Sequence, residues 1–121
     1  MTQSPISGRC LCGACRFTLT GPPNWIGHCC CESCRRATAS PYTTWIGQPN
    51  GTWKLTGPIS TYASSPGRNR GFCTTCGTPM YYETHEAPSE RHFYAALLNH
   101  PDEINPTEVY HKDEQLGWAH P

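Results

Sequence analysis

Cys73-Thr74-Thr75-Cys76-Gly77 decides how this chain is built. Two cysteines three positions apart let one tight turn aim two sulfurs at a single metal ion. Gly77 permits the positive φ that closes such a turn. This is half a tetrahedral site, so the other half must come from elsewhere. Two more clusters can supply it: Cys10-Leu11-Cys12-Gly13-Ala14-Cys15 and Cys29-Cys30-Cys31-Glu32-Ser33-Cys34. Spacing alone offers Cys12/Cys15, Cys10/Cys12 or Cys31/Cys34. A partner near residue 10 would tie the two halves of the chain together. A closed four-thiolate zinc of that kind has no free position and is structural.

The chain has nine cysteines in 121 residues. Nine fill two four-thiolate sites with one left over, or leave one site with fewer than four protein ligands. An odd count disfavours a fully paired disulfide framework. The first eight residues lack the pattern of a signal peptide, and no apolar run approaches membrane-spanning length. A cytoplasmic protein is therefore expected, in which clustered cysteines bind metal. Lys+Arg and Asp+Glu both number nine. With zero formal charge and no basic stripe, neither nucleic acid nor membrane is expected as a partner.

The length fits one domain over residues 1–121, with its core at about 8–118. Gly and Pro number 11 and 12, which suits short strands and many turns, hence a mainly β fold with few short helices. Arg16–Thr20 alternates apolar and polar residues like a half-buried strand. Tyr42–Ile46 reads as a strand, and Pro49-Asn50-Gly51 as a turn leading to its hairpin partner Thr52–Leu55. Further strands are expected at Ser60–Ala63 and Glu108–Lys112. A hairpin is expected from Pro79–Glu83 and His92–Leu98 across the loop Ala87–Arg91. Arg35–Ser40 suits a short helix stopped by Pro41. All three cysteine clusters then fall in turns between strands.

The middle cluster is the densest. Cys29, Cys31 and Cys34 can place three sulfurs around one ion, while Cys30 in an extended segment points the other way. Three thiolates on Zn²⁺ leave one open position, where an incoming thiol would bind as thiolate. Alternatively a fourth ligand, Cys15, Cys30 or His28, closes the site and makes it structural. Arg35 and Arg36 follow directly. They can offset the thiolate charge or hold a substrate carboxylate by bidentate hydrogen bonds. Trp45, Trp53, Tyr62, Tyr81 and Tyr82 read as core or pocket wall, and His28 as a surface or neighbouring histidine.

Three linked motifs carry a family resemblance. Gly8-Arg9-Cys10-Leu11-Cys12-Gly13-Ala14-Cys15-Arg16-Phe17, Gly27-His28-Cys29-Cys30-Cys31-Glu32-Ser33-Cys34-Arg35-Arg36 and Ser64-Ser65-Pro66-Gly67 through Arg70-Gly71-Phe72-Cys73-Thr74-Thr75-Cys76-Gly77-Thr78 resemble, in order and spacing, those of the glutathione-dependent formaldehyde-activating enzyme family. That family also includes centromere protein V. The resemblance runs from about Gly8 to Trp118. It implies an Mss4-like fold of small twisted antiparallel sheets stabilised by zinc. It further implies a structural zinc on Cys10, Cys12, Cys73 and Cys76 and a second, reactive zinc on Cys29, Cys31 and Cys34. Two positions depart from the family pattern: Cys30 stands where His is common, and Cys15 where a small apolar residue is frequent. If Cys30 is a further ligand, the second site is closed.

The resemblance implies a zinc-dependent carbon–sulfur lyase, like an S-(hydroxymethyl)glutathione synthase. Such an enzyme handles a thiol adduct of formaldehyde or another small electrophile. Its expected partners are glutathione or another small thiol and a small aldehyde. Zn²⁺ is expected at two sites, the second open to partial occupancy. Cys29, Cys31 and Cys34 would hold the thiol, and Arg35 or Arg36 a glutathione carboxylate. The alternative is a non-catalytic, zinc-stabilised protein-interaction module. A zinc-buffering or redox-sensing role, prompted by Cys15 and Cys30, is a third reading.

Overall fold

The computed structural model describes residues 5–121. Its strands are β1 (Ile6–Arg9), β2 (Arg16–Leu19), β3 (Trp25–Cys29), β4 (Thr43–Pro49), β5 (Trp53–Thr56), β6 (Ile59–Ser65), β7 (Arg68–Cys73), β8 (Pro79–Thr84), β9 (Glu90–Tyr94) and β10 (Glu108–Tyr110). One short helix, α1 (Glu32–Thr38), follows β3, and three single 3₁₀ turns lie at Ala95–Leu97, Pro101–Glu103 and Lys112–Glu114. The fold is mainly β, as the Gly- and Pro-rich composition implies. The strands form a three-stranded sheet, β1-β2-β5, and a seven-stranded sheet, β10-β3-β4-β9-β8-β7-β6. All pairings are antiparallel except β10 with β3.

Alternation along the strands gives the larger sheet two working faces. One face contributes Ile46, Tyr81 and Phe93 to the main core, where Phe17 and Leu19 of β2 meet them; Met80 joins them through an irregularity in the β7–β8 pairing, where Gly71 faces Tyr81 but Phe72 faces Pro79. Phe17 stacks on Phe93 at 5.0 Å between ring centroids. Each such buried ring stabilises by roughly 1.5–3 kcal/mol relative to an exposed one. The other face carries Trp45 and Tyr94, which cluster with Cys29 and Cys34. Strand β4 is thus buried on both sides.

The expected hairpin of Tyr42–Ile46 with Thr52–Leu55 does not form. The turn is there, with Thr52 N–H donating to Pro49 O, but β5 pairs with β2 in the other sheet. Both edges of β4 are already taken by β3 and β9. The turn is therefore a corner between sheets. Gln48, 1% exposed, holds it by donating from Nε2 to Thr20 O and Thr52 Oγ1. The hairpin of β8 and β9 forms as expected, although the segment after Tyr94 turns into a 3₁₀ helix.

The helix also differs from its expected span of Arg35–Ser40. It starts three residues earlier because Cys31 caps it, its Sγ accepting the Cys34 N–H at 3.3 Å. It stops at Ala39, which adopts the left-handed conformation (φ 54°). The middle cysteine cluster consequently runs from a strand end into a helix, not through a turn between strands.

Candidate metal centres and the groove beside them

The structure brings Cys10, Cys12, Cys73 and Cys76 together, all four sulfurs within 4.8 Å of one another. Cys10 and Cys12 sit in the β1–β2 turn, Cys73 ends β7 and Cys76 lies in the turn to β8. Gly77 has φ +80° and donates its N–H to Cys73 O at 2.8 Å, closing the second turn. Leu11 N–H donates to Thr78 Oγ1 and so joins the two turns directly. Backbone N–H groups also point at sulfur: Cys15 N–H at Cys10 Sγ (3.3 Å) and Cys76 N–H at Cys73 Sγ (3.5 Å). These donors favour thiolate over thiol. Hydrogen bonding from Thr78, followed by the backbone of Cys12, pulls the Cys76 thiol down to about 5.

Cys29, Cys31 and Cys34 form a second group, also within 4.8 Å of one another. Cys29 ends β3, Cys31 caps α1, and Cys34 lies in its first turn. Hydrogen bonds from Cys29 and then Cys34 hold the Cys31 thiol far below the ordinary thiol range. The bond to Cys31, then that to Cys34, pushes Cys29 up.

Both groups fit a tetrahedral thiolate metal. A Zn–S bond of about 2.3 Å sets sulfurs roughly 3.8 Å apart along a tetrahedron edge. The observed separations are 3.5 Å for Cys10–Cys12, 3.8 Å for Cys12–Cys73 and 3.6 Å for Cys29–Cys34. All nine cysteines are free, so none of this sulfur is committed to a disulfide.

None of the three candidates for a fourth ligand joins the second group among the described residues. Cys30 is fully buried and its N–H donates to Tyr110 O. His28 leaves the opposite face of β3, with Nδ1 2.8 Å from Thr44 Oγ1. Cys15 is fully buried beside the first group, and its Sγ donates to Pro58 O. Burial, with Cys73 next, pushes its thiol up to about 12, so it behaves as a neutral core residue.

Cys29, Cys31 and Cys34 open onto a groove of about 2010 Å³ on the second face of the larger sheet. Arg36 lines it, but its Nε is 2.8 Å from Glu32 Oε2 in an exposed pair. Arg35 does not line it and instead donates from Nε to Cys30 O at 3.4 Å. Arg68 and Arg70, which sequence reasoning did not single out, also line the groove, with Arg68 paired to Glu86. The Arg70 guanidinium lies 4.7 Å from the Tyr82 ring centroid, and Tyr94 packs 4.2 Å from Trp45. Register explains the assembly, since Arg70 faces Tyr82, Tyr82 faces His92, and Tyr94 faces Trp45. At the far side, Trp25 lies over Gly47, where any Cβ would collide with the indole. Its Nε1 donates to Glu90 Oε2 at 2.8 Å, and His92 Nε2 is 2.6 Å from the same oxygen.

The sequence model of a family described as "Glutathione-dependent formaldehyde-activating enzyme" matches residues 5–113. A curated protein of Schizosaccharomyces pombe, named an uncharacterized lyase, is 31% identical over 75 residues, which is 62% of this chain and 55% of that protein. The chain therefore matches about half the length of that relative. A crystal structure of a Rhodobacter sphaeroides protein shares the fold, with a TM-score of 0.66 at 20% identity over 85% of this chain and 98% of that one. No helix among the described residues is long and apolar enough to cross a membrane.

Proposed function

The chain belongs to the glutathione-dependent formaldehyde-activating enzyme family, and from that premise we propose that its three-sulfur centre holds a small thiol and makes or breaks the carbon–sulfur bond to a small aldehyde. One observation carries the reading. Cys29, Cys31 and Cys34 offer three ligands rather than four, and they do so at the wall of a groove. The family match and the lyase name of the fission-yeast relative support a lyase-type activity.

Zn²⁺ held by Cys29, Cys31 and Cys34 would supply a Lewis-acidic position that keeps an incoming thiol ionised. The chain's own residues do the remaining work. Cys34, Trp45 and Tyr94, all under 10% exposed, form a dry wall against which the reacting sulfur would sit. Low local dielectric there strengthens every hydrogen bond to developing charge. Arg36 at the rim suits a carboxylate of the thiol substrate, provided it exchanges its surface partner Glu32; Arg35 would have to release Cys30 O to reach it. Glutathione and formaldehyde are the substrates the family description suggests. Cys10, Cys12, Cys73 and Cys76 would hold a second Zn²⁺ with no free position, joining the two turns. A reducing compartment such as the cytoplasm suits nine free thiols.

Calorimetric titration of glutathione into the zinc-loaded protein tests the reading, alongside formation of the glutathione–formaldehyde adduct followed by NMR. Binding is expected in the wild type and lost in Cys31→Ser. Equal binding in the two proteins would refute thiol capture at this centre.

A further inference from the structure

Two buried donors in the groove are not fully satisfied. Tyr94, 6% exposed, has a phenol OH without a well-formed hydrogen bond, and the same holds for the Nη1 of Arg70. The two side chains are neighbours: Arg70 acts to lower the Tyr94 phenol, against the larger effect of burial, which raises it. A buried polar group left unmet costs about 1–3 kcal/mol, so a fold that keeps two of them in one groove needs a compensating use. Packing holds both in place. The Arg70 guanidinium rests on Tyr82, and Tyr94 packs on Trp45 in the same buried cluster as Cys29 and Cys34. The other groove arginines differ. Arg36 is paired with Glu32 and Arg68 with Glu86, both nearer solvent.

We propose that Arg70 Nη1 and Tyr94 OH form an oxyanion-binding pair, receiving the oxygen of the electrophile that adds to the thiol held at Cys29, Cys31 and Cys34. The assignment rests on the thiol-handling reading above. In the addition direction a thiolate electron pair forms the S–C bond, and the carbonyl π pair moves onto oxygen. The resulting alkoxide sits between the two donors and takes a proton from water. In the lyase direction the hydroxyl returns that proton to water, the C=O bond reforms, and the S–C pair goes back to sulfur. No oxidant or reductant is consumed. Arginine and phenol are suited to this because packing fixes both before the reaction, and each keeps an N–H or O–H to donate as charge develops on oxygen.

The test compares wild type with Arg70→Met and Tyr94→Phe, the latter keeping the ring that packs on Trp45. Three quantities are measured on metal-loaded protein: the turnover number for the glutathione–formaldehyde adduct, the glutathione Kd, and the Kd of formate as a one-carbon oxyanion probe. Each variant is expected to lose about a hundredfold in turnover number. Formate binding should weaken at least about tenfold, while the glutathione Kd moves less than about threefold. Formate binding that is equal in all three proteins would overturn the assignment. So would weakened glutathione binding at unchanged turnover number, which would make the pair a carboxylate anchor. If the wild type fails to turn over the adduct yet formate binding depends on both residues, the oxyanion pair stands and the lyase reading falls. Thermal midpoints within a few degrees of wild type confirm that the variants fold, and Arg70→Lys should recover part of the formate binding through its charge.

Discussion

Replacing both Cys73 and Cys76 by Ser removes the β7–β8 half of the four-sulfur centre. In the native chain, sulfurs of Cys12 and Cys73 lie 3.8 Å apart although 61 residues separate them in sequence. A clip across that loop removes conformational freedom from the unfolded chain. With the loop-entropy relation for cross-links, 61 residues give about 14 cal/mol/K, or about 4 kcal/mol at 25 °C. A chain of this size unfolds with roughly 250 cal/mol/K at its midpoint, so the expected fall in Tm is on the order of 15 °C. Scanning calorimetry in zinc and a thiol-free reductant measures it, with the wild type plus and minus chelator as a second arm. Chelator should shift the wild type by a similar amount and leave the double variant nearly unmoved. A change below about 1 kcal/mol in both arms would show that no metal clips the two turns, since even a single buried hydrogen bond contributes that much.

Three other outcomes follow from single residues. Ala39 holds the left-handed conformation at the end of α1, so Ala39→Gly should stabilise by about 1 kcal/mol, read as a raised urea midpoint; an unchanged or lowered midpoint counts against the cap. Phe93 is fully buried and stacked on Phe17, and Phe93→Ala should cost about 3–5 kcal/mol by denaturant unfolding; a loss under about 1 kcal/mol would mean the sheets do not share this core. Burial lowers His92 from the ordinary imidazole value of 6.5 despite its contact with Glu90. The unfolded chain then takes up a proton near 6.5 before the folded chain does, so this stability is present above 6.5 and is lost as pH falls through the lowered folded value. Between pH 7 and 5 the wild type should lose stability relative to His92→Gln by at most about 1.4 kcal/mol per pH unit. A difference independent of pH would contradict the buried, neutral imidazole. Glu90 is also lowered: burial, the largest single effect, raises it, but the hydrogen bonds from Asn24 and Trp25 together with the contact to His92 outweigh it, so its share is lost only as pH falls below 4.5.

Local signals were legible in the sequence because they act over a few residues. The Cys76–Gly77 turn, the corner at Asn50–Gly51 and strand alternation at Arg16–Leu19 are of that kind. Pairing was less legible. Spacing offered three partners for the Cys73 half-site, and only the family resemblance singled out Cys10 and Cys12, whose sulfurs the structure brings to Cys73 and Cys76. The hairpin after Ile46 failed because the edges of β4 are filled by strands remote in sequence. Helix α1 began early because a cysteine side chain capped it, a role usually taken by Ser, Thr, Asp or Asn. Arg70 and Tyr94 were missed as groove donors for a related reason. Their approach depends on the register of β7, β8 and β9, and on the side of the sheet that the three-stranded layer leaves uncovered. The one early sign was a positive charge inside the strand that runs into the Cys73 turn.

The three-sulfur centre is tested most directly by zinc X-ray absorption on protein carrying two equivalents of zinc, with and without glutathione. Four sulfurs at one site and three at the other give an expected average of three and a half sulfurs per zinc, rising to four when the thiol binds. An average of four before thiol is added, or one that glutathione leaves unchanged, would contradict an open position at Cys29, Cys31 and Cys34.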